Sequence, residues 1–178
     1  AQKTNDPALT ALASIQVSPL YQGRFNEACY LLDRAVVDVD IDLQSRVAQR
    51  FGMAPAAVSA CYLYNCLWLM GFPEQADLMN QQVFNLAKEI NHHMTTCYVT
   101  SRAAWFAMLR DDLPQLRFFS NQLLDMSNKH GFKNFELAAL FFRHWLNLQE
   151  HQSVLETIEG MEKILDDVAH GDKEWKKV

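Results

Sequence analysis

Glycine and proline are scarce in this chain, 6 and 5 among 178 residues, and they gather at a few points along it. That scarcity favours helices over many short strands, whose turns use both residues freely. Basic charge is not in excess either: 16 Lys and Arg face 21 Asp and Glu, a net charge of -5. A nucleic-acid-binding face, which needs clustered Lys and Arg, is not expected. No apolar run approaches the roughly 18 residues that span a bilayer, so no membrane contact is expected. No signal peptide is read at the start. The polar opening, Ala1 to Asp6, has no initiator Met, as a domain cut from a longer protein or a processed terminus would show. Cysteine is sparse as well. Cys29, Cys61, Cys66 and Cys97 lie inside apolar helical stretches, none at the two-residue spacing of a zinc knuckle. They read as reduced, buried thiols of a cytosolic, hence cytoplasmic, protein.

What is present is helical. With 49% hydrophobic residues the chain is folded, and its length fits one domain, 1–178. The clearest unit is Gly71-Phe72-Pro73-Glu74-Gln75-Ala76, set between apolar-periodic stretches over 56–70 and 77–90. A long helix, a Gly-bearing turn and a second helix with a small residue near its start make an antiparallel pair. Similar units sit at Gln22 to Ala28 and at Asp111 to Leu116. A period of roughly 40 residues built of helix pairs is the signature of an α-solenoid. Four pairs are expected, at about 6–37, 55–91, 93–130 and 134–170. The first opens on Asp6-Pro7 and its first helix ends near Ser18-Pro19; its partner runs from Asn26 to about Val37. Gly23 and Gly71 stand 48 positions apart, against 40 for Gly71 and Asp111. The surplus is placed in an insertion at about 38–54, with an irregular Asp38 to Gln44 and a short helix over 45–51. The tail from Gly171 reads as frayed, with Trp175 as a docking residue.

These residues carry a resemblance. Phe51-Gly52-Met53-Ala54-Pro55 and Cys66-Leu67-Trp68-Leu69-Met70-Gly71-Phe72-Pro73-Glu74-Gln75-Ala76 resemble a tetratricopeptide-like region near the C-terminus of large bacterial signalling proteins. Those proteins join a winged-helix DNA-binding domain or a class III adenylate cyclase domain to a signal-transduction ATPase module and helical repeats. The segments Leu86 to His92 and Leu123 to Phe132 fit the same pattern, and the likeness covers about 22–145. It implies a right-handed, tetratricopeptide-like solenoid within a longer regulator of transcription or signal transduction. The chain departs from the pattern where Leu116, and Thr157 or Leu155, replace the small alanine of the second helix, so looser packing is expected there.

Candidate chemistry is thin. Asp38, Asp40 and Asp42 alternate like the first ligands of a calcium loop, yet Leu43 and Gln49 stand where Gly and Glu are needed. They read as a solvated linker. His92-His93 diverge on a helix and read as a pH-sensitive junction pair, and not as metal ligands. His130 suits a helix C-terminus, and His144 reads as a partly buried, hydrogen-bonded histidine. Ser59, Cys61, Cys97 and Ser101 lie at no nucleophile elbow, so no catalytic residue, metal or cofactor is assigned. The expected function is a surface. In a tetratricopeptide array the first helix of each pair lines the concave groove, which puts Cys61, Asn65 and Trp68, then Tyr98, Ser101, Arg102, Trp105 and Met108, on that face. Aromatics, an amide and a guanidinium suit a protein or peptide segment, including a second copy of the chain, or a small effector. Trp68 and Trp105 packed between repeats is the structural alternative. A regulatory region serving a cyclase or ATPase, or a homodimerisation scaffold, are the other functional readings.

Overall fold

The computed structural model describes residues 6–13, 15, 17–37, 39–150 and 154–175, with side chains described as far as Ala169. Among these residues the chain is all-helical and contains no strand. The helices are α1 (Pro7–Ala13), α2 (Ser18–Tyr21), α3 (Phe25–Arg34), α4 (Ile41–Phe51), α5 (Pro55–Leu69), α6 (Pro73–Ile90), α7 (His93–Leu109), α8 (Leu113–His130), α9 (Lys133–Gln149) and α10 (Val154–Trp175). They fall into two compact units, 1–99 and 100–178, and the boundary lies inside α7.

In the first unit α5 is the centre. Every residue from Pro55 to Cys66 except Tyr62 is buried, because apolar and small residues occur on all sides of this helix. α3 and α6 pack on it; Ala28 and Leu32 of α3 join Leu63 and Cys66 of α5 in one apolar cluster, with Met79 of α6 packed against it. Ala76, in the first turn of α6, has no exposed surface.

α4 lies where an irregular insertion with only a short helix is expected, and the difference has a physical cause. The Asp40 carboxylate accepts the Leu43 N–H at 2.9 Å and so starts the helix at Ile41. Gln44 is buried and its Oε1 accepts the Ala56 N–H at 3.0 Å, while Ser45 Oγ donates to Ile90 O at 3.2 Å. α4 therefore satisfies orphan backbone groups at the start of α5 and the end of α6. The first pair is also shorter than expected. α1 stops at Ala13, Pro19 opens α2 instead of closing a helix, and α3 ends at Arg34.

In the second unit, Leu116, Ser120, Leu123 and Ser127 form the buried stripe of α8. The two serine hydroxyls donate to backbone oxygens one turn back, Arg117 O and Leu124 O, so they are small and satisfied where α9 approaches. Leu116 and Thr157 are both buried, whereas Leu155 is 77% exposed. Thr157, not Leu155, thus takes the inward position. α10 continues through Gly171 to Trp175, where a frayed tail is expected; the Trp175 side chain lies outside the described residues.

The links between long helices are short and alike. Gly71, Asn91, Asp111 and Gly131 each have a positive φ, 85°, 52°, 56° and 72°, and each ends a helix within two residues. Gly71 and Asp111 are 40 positions apart, as are Asn91 and Gly131. Links of two or three residues return α6 onto α5 and α9 onto α8.

Candidate functional site

The second unit carries an open recess of about 280 Å³ lined by α7, α9 and α10. α7 contributes Ser101, Arg102 and Trp105, because Ala103, Ala104, Phe106 and Ala107 take the buried side of its turns. α9 adds Asn134, Leu137, Ala138, Phe141 and Phe142, and α10 adds Ile164 and Val168. The Trp105 ring meets Phe142 edge-on, centroids 6.4 Å apart at 60°, yet keeps 37% of its surface exposed. An aromatic wall, an aliphatic floor and a guanidinium in the lining can hold an apolar side chain while engaging a carbonyl or carboxylate beside it.

Of the eight positions expected on a groove, Ser101, Arg102 and Trp105 line this recess, and Met108 is half-buried without lining it. In the first unit the outcome differs. Cys61 is fully buried and Asn65 is 6% exposed, with Asn65 Nδ2 donating to Cys61 O at 2.7 Å. Both are buried residues of α5 and offer no groove surface. Trp68 and Tyr98 are half-buried. The groove expectation treats α5 as a helix with one exposed face, and burial of every residue from Pro55 to Cys66 except Tyr62 removes that premise.

Sequence reasoning missed two recesses in the first unit. One, about 430 Å³, is lined by residues including Val36, Ile41, Ala60 and Leu86; the other, about 420 Å³, by residues including Cys29, Tyr30, Leu67 and Leu78. They share Met79 and Gln82. Their signal in the sequence is two large apolar residues, Tyr30 and Leu78, which the structure leaves exposed.

The remaining polar residues have structural roles. Asp40 is an N-cap, Asp42 is exposed in the first turn of α4, and Asp38 lies outside the described residues. Among the described residues no three His, Cys, Asp or Glu side chains form a group able to hold a metal ion. His92 precedes α7, and its Nδ1 lies 3.0 Å from Thr95 Oγ1 and accepts the Thr95 N–H at 3.3 Å. Burial and the neighbouring His93 hold its pKa below the ordinary histidine range. His130 closes α8 with its ring stacked on Phe132 at 5.7 Å. His144 Nδ1 is buried and, among the described residues, has no hydrogen-bond partner, which corrects the expectation of a hydrogen-bonded histidine. Ser59 and Cys97 are fully buried, and burial pushes the Cys97 thiol up to about 11.

Among the described residues no helix is long and apolar enough to cross a membrane. No family model, curated protein or solved structure matches the chain.

Proposed function

We propose that the chain is a tetratricopeptide-like array of helix pairs acting as a non-catalytic protein-interaction or effector-sensing domain of a bacterial transcriptional or signalling regulator. The 40-residue spacing of the left-handed link residues supports the repeat reading. The recess lined by Ser101, Arg102 and Trp105 is the observation that carries the interaction reading. Its occupant would be a peptide segment placing an aliphatic or aromatic side chain between Trp105 and Phe141, with Arg102 engaging its polar flank. Exposed Val154, Leu155, Ile158, Leu165 and Val168 on α10 favour a second reading, a scaffold that pairs with another copy through this helix.

The test is selection of peptides from a random library on the wild-type chain, followed by affinity measurements on variants. Arg102→Ala and Trp105→Ala should each weaken the selected peptides, while Gln81→Ala on α6 should leave them unchanged. Loss in Gln81→Ala alone would place binding elsewhere. Nucleotide hydrolysis or cyclisation by the purified chain would sink the non-catalytic reading. A dimer in light scattering that Leu165→Glu returns to a monomer would favour the scaffold.

A further inference from the structure

Three sulfur-bearing side chains gather in the core of the first unit. Cys29 Sγ on α3 lies 3.6 Å from Met70 Sδ at the end of α5, and Cys66 belongs to the buried cluster against which Cys29 packs. Cys66 and Met70 are four positions apart, so both point from α5 to the same side. Cys66 is fully buried among Ala28, Leu32 and Leu63, with Met79 packed at the edge of the cluster. Cys29 is half-buried and lines the recess of about 420 Å³ that Met79 also borders. The cluster therefore has a closed apolar end and an open entry.

No third His, Cys, Asp or Glu side chain joins these thiols in a metal-holding group among the described residues. The tetrahedral nitrogen and sulfur set that zinc prefers is not assembled here. Two thiolates and a thioether are the soft donors that select Cu(I). We propose that Cys29, Cys66 and Met70 form a three-sulfur site for a soft monovalent cation, Cu(I). Metal–sulfur bonds of about 2.3 Å put the sulfurs of a trigonal site about 4 Å apart, close to the 3.6 Å between Cys29 and Met70. On binding, two S–H bonds are replaced by two metal–sulfur bonds, the metal keeps its oxidation state and two protons pass to solvent. The cation's single positive charge then meets two thiolates, leaving the site with a net charge of one negative.

The experiment is anaerobic competition between the reduced chain and Cu(I)-bicinchoninate, read by loss of the complex's colour. Wild type should withdraw one equivalent and gain in thermal midpoint, and Zn²⁺ should produce neither effect at the same concentration. Cys29→Ser should lose at least about tenfold in affinity. Met70→Leu, which conserves volume, should also bind more weakly and decides the matter if Cys29→Ser fails to fold. Cys97→Ala, which removes a buried thiol outside the cluster, should bind as wild type does. The assignment is overturned if wild type withdraws no metal, if Cys29→Ser or Met70→Leu folds and keeps wild-type affinity, or if Cys97→Ala loses binding to the same extent.

Discussion

The His144 imidazole on α9 occupies the space above the α-carbon of Gly160 on α10: a Cβ at Gly160 would stand 2.5 Å from Nε2 and 3.0 Å from Nδ1. Glycine inside a helix costs about 1 kcal/mol relative to alanine, so this residue is explained by the ring it faces and not by helix formation. Gly160→Ala should destabilise the chain, since overpacking of about 1–3 kcal/mol exceeds the propensity gain. In a His144→Ala background the same change should become neutral or stabilising. Urea midpoints of the four proteins form the double-mutant cycle that checks the coupling. Additive effects would show that the ring and the glycine do not meet.

His92 should make stability depend on pH. Its Nδ1 accepts the Thr95 N–H, while Thr95 Oγ1 accepts the Ala54 N–H at 3.2 Å, so the bond needs the neutral imidazole. A folded pKa below the ordinary 6.5 means the unfolded chain takes up the proton first. The contribution of His92 is therefore fully present above the unfolded pKa and is lost as pH falls through it towards the folded value. Thermal midpoints measured between pH 8 and 5.5 should fall in the wild type and change less in His92→Asn, whose side chain still caps α7 but does not titrate.

Ala76 tests the packing of α6 on α5. Its methyl is fully buried in the first helical turn, where Leu would need space that the two helices do not leave. Ala76→Leu should cost about 1–3 kcal/mol, seen as a lower denaturation midpoint with retained helicity by circular dichroism. An unchanged midpoint would mean that the helices do not meet closely at this position.

Asp40→Ala should remove the cap of α4 at a cost of about 1 kcal/mol. The Leu43 N–H would lose its acceptor while the buried Gln44 and half-buried Ser45 stay in place. Hydrogen exchange should report faster opening in the first turn of α4 than in α6. Asp40→Asn, which keeps an acceptor oxygen, should restore most of the protection.

The helices from α5 to α9 are legible in the sequence because their punctuation is local. Pro55, Gly71-Phe72-Pro73, Asn91, Asp111-Asp112 and Gly131 fix starts and stops by backbone chemistry that involves only near neighbours. α4 was partly hidden, since its value to the fold comes from Gln44 and Ser45 reaching backbone groups of α5 and α6. Three of the recess residues, Ser101, Arg102 and Trp105, are among the eight positions that the tetratricopeptide resemblance puts on a groove face. The rest of its lining, from Asn134 to Val168, comes from helices far along the chain, and nothing local marks it.

The sequence by itself determined that this is a chain of helices joined by tight left-handed links, because hydrophobic period and turn chemistry act over a few residues. Tertiary structure alone decided which helix lost its exposed faces. α5 became a core, so Cys61 and Asn65 went inside, and Cys29 met Met70 across 41 positions of sequence. Burial is a sum over neighbours brought close by folding, and no periodicity within a single helix records that sum.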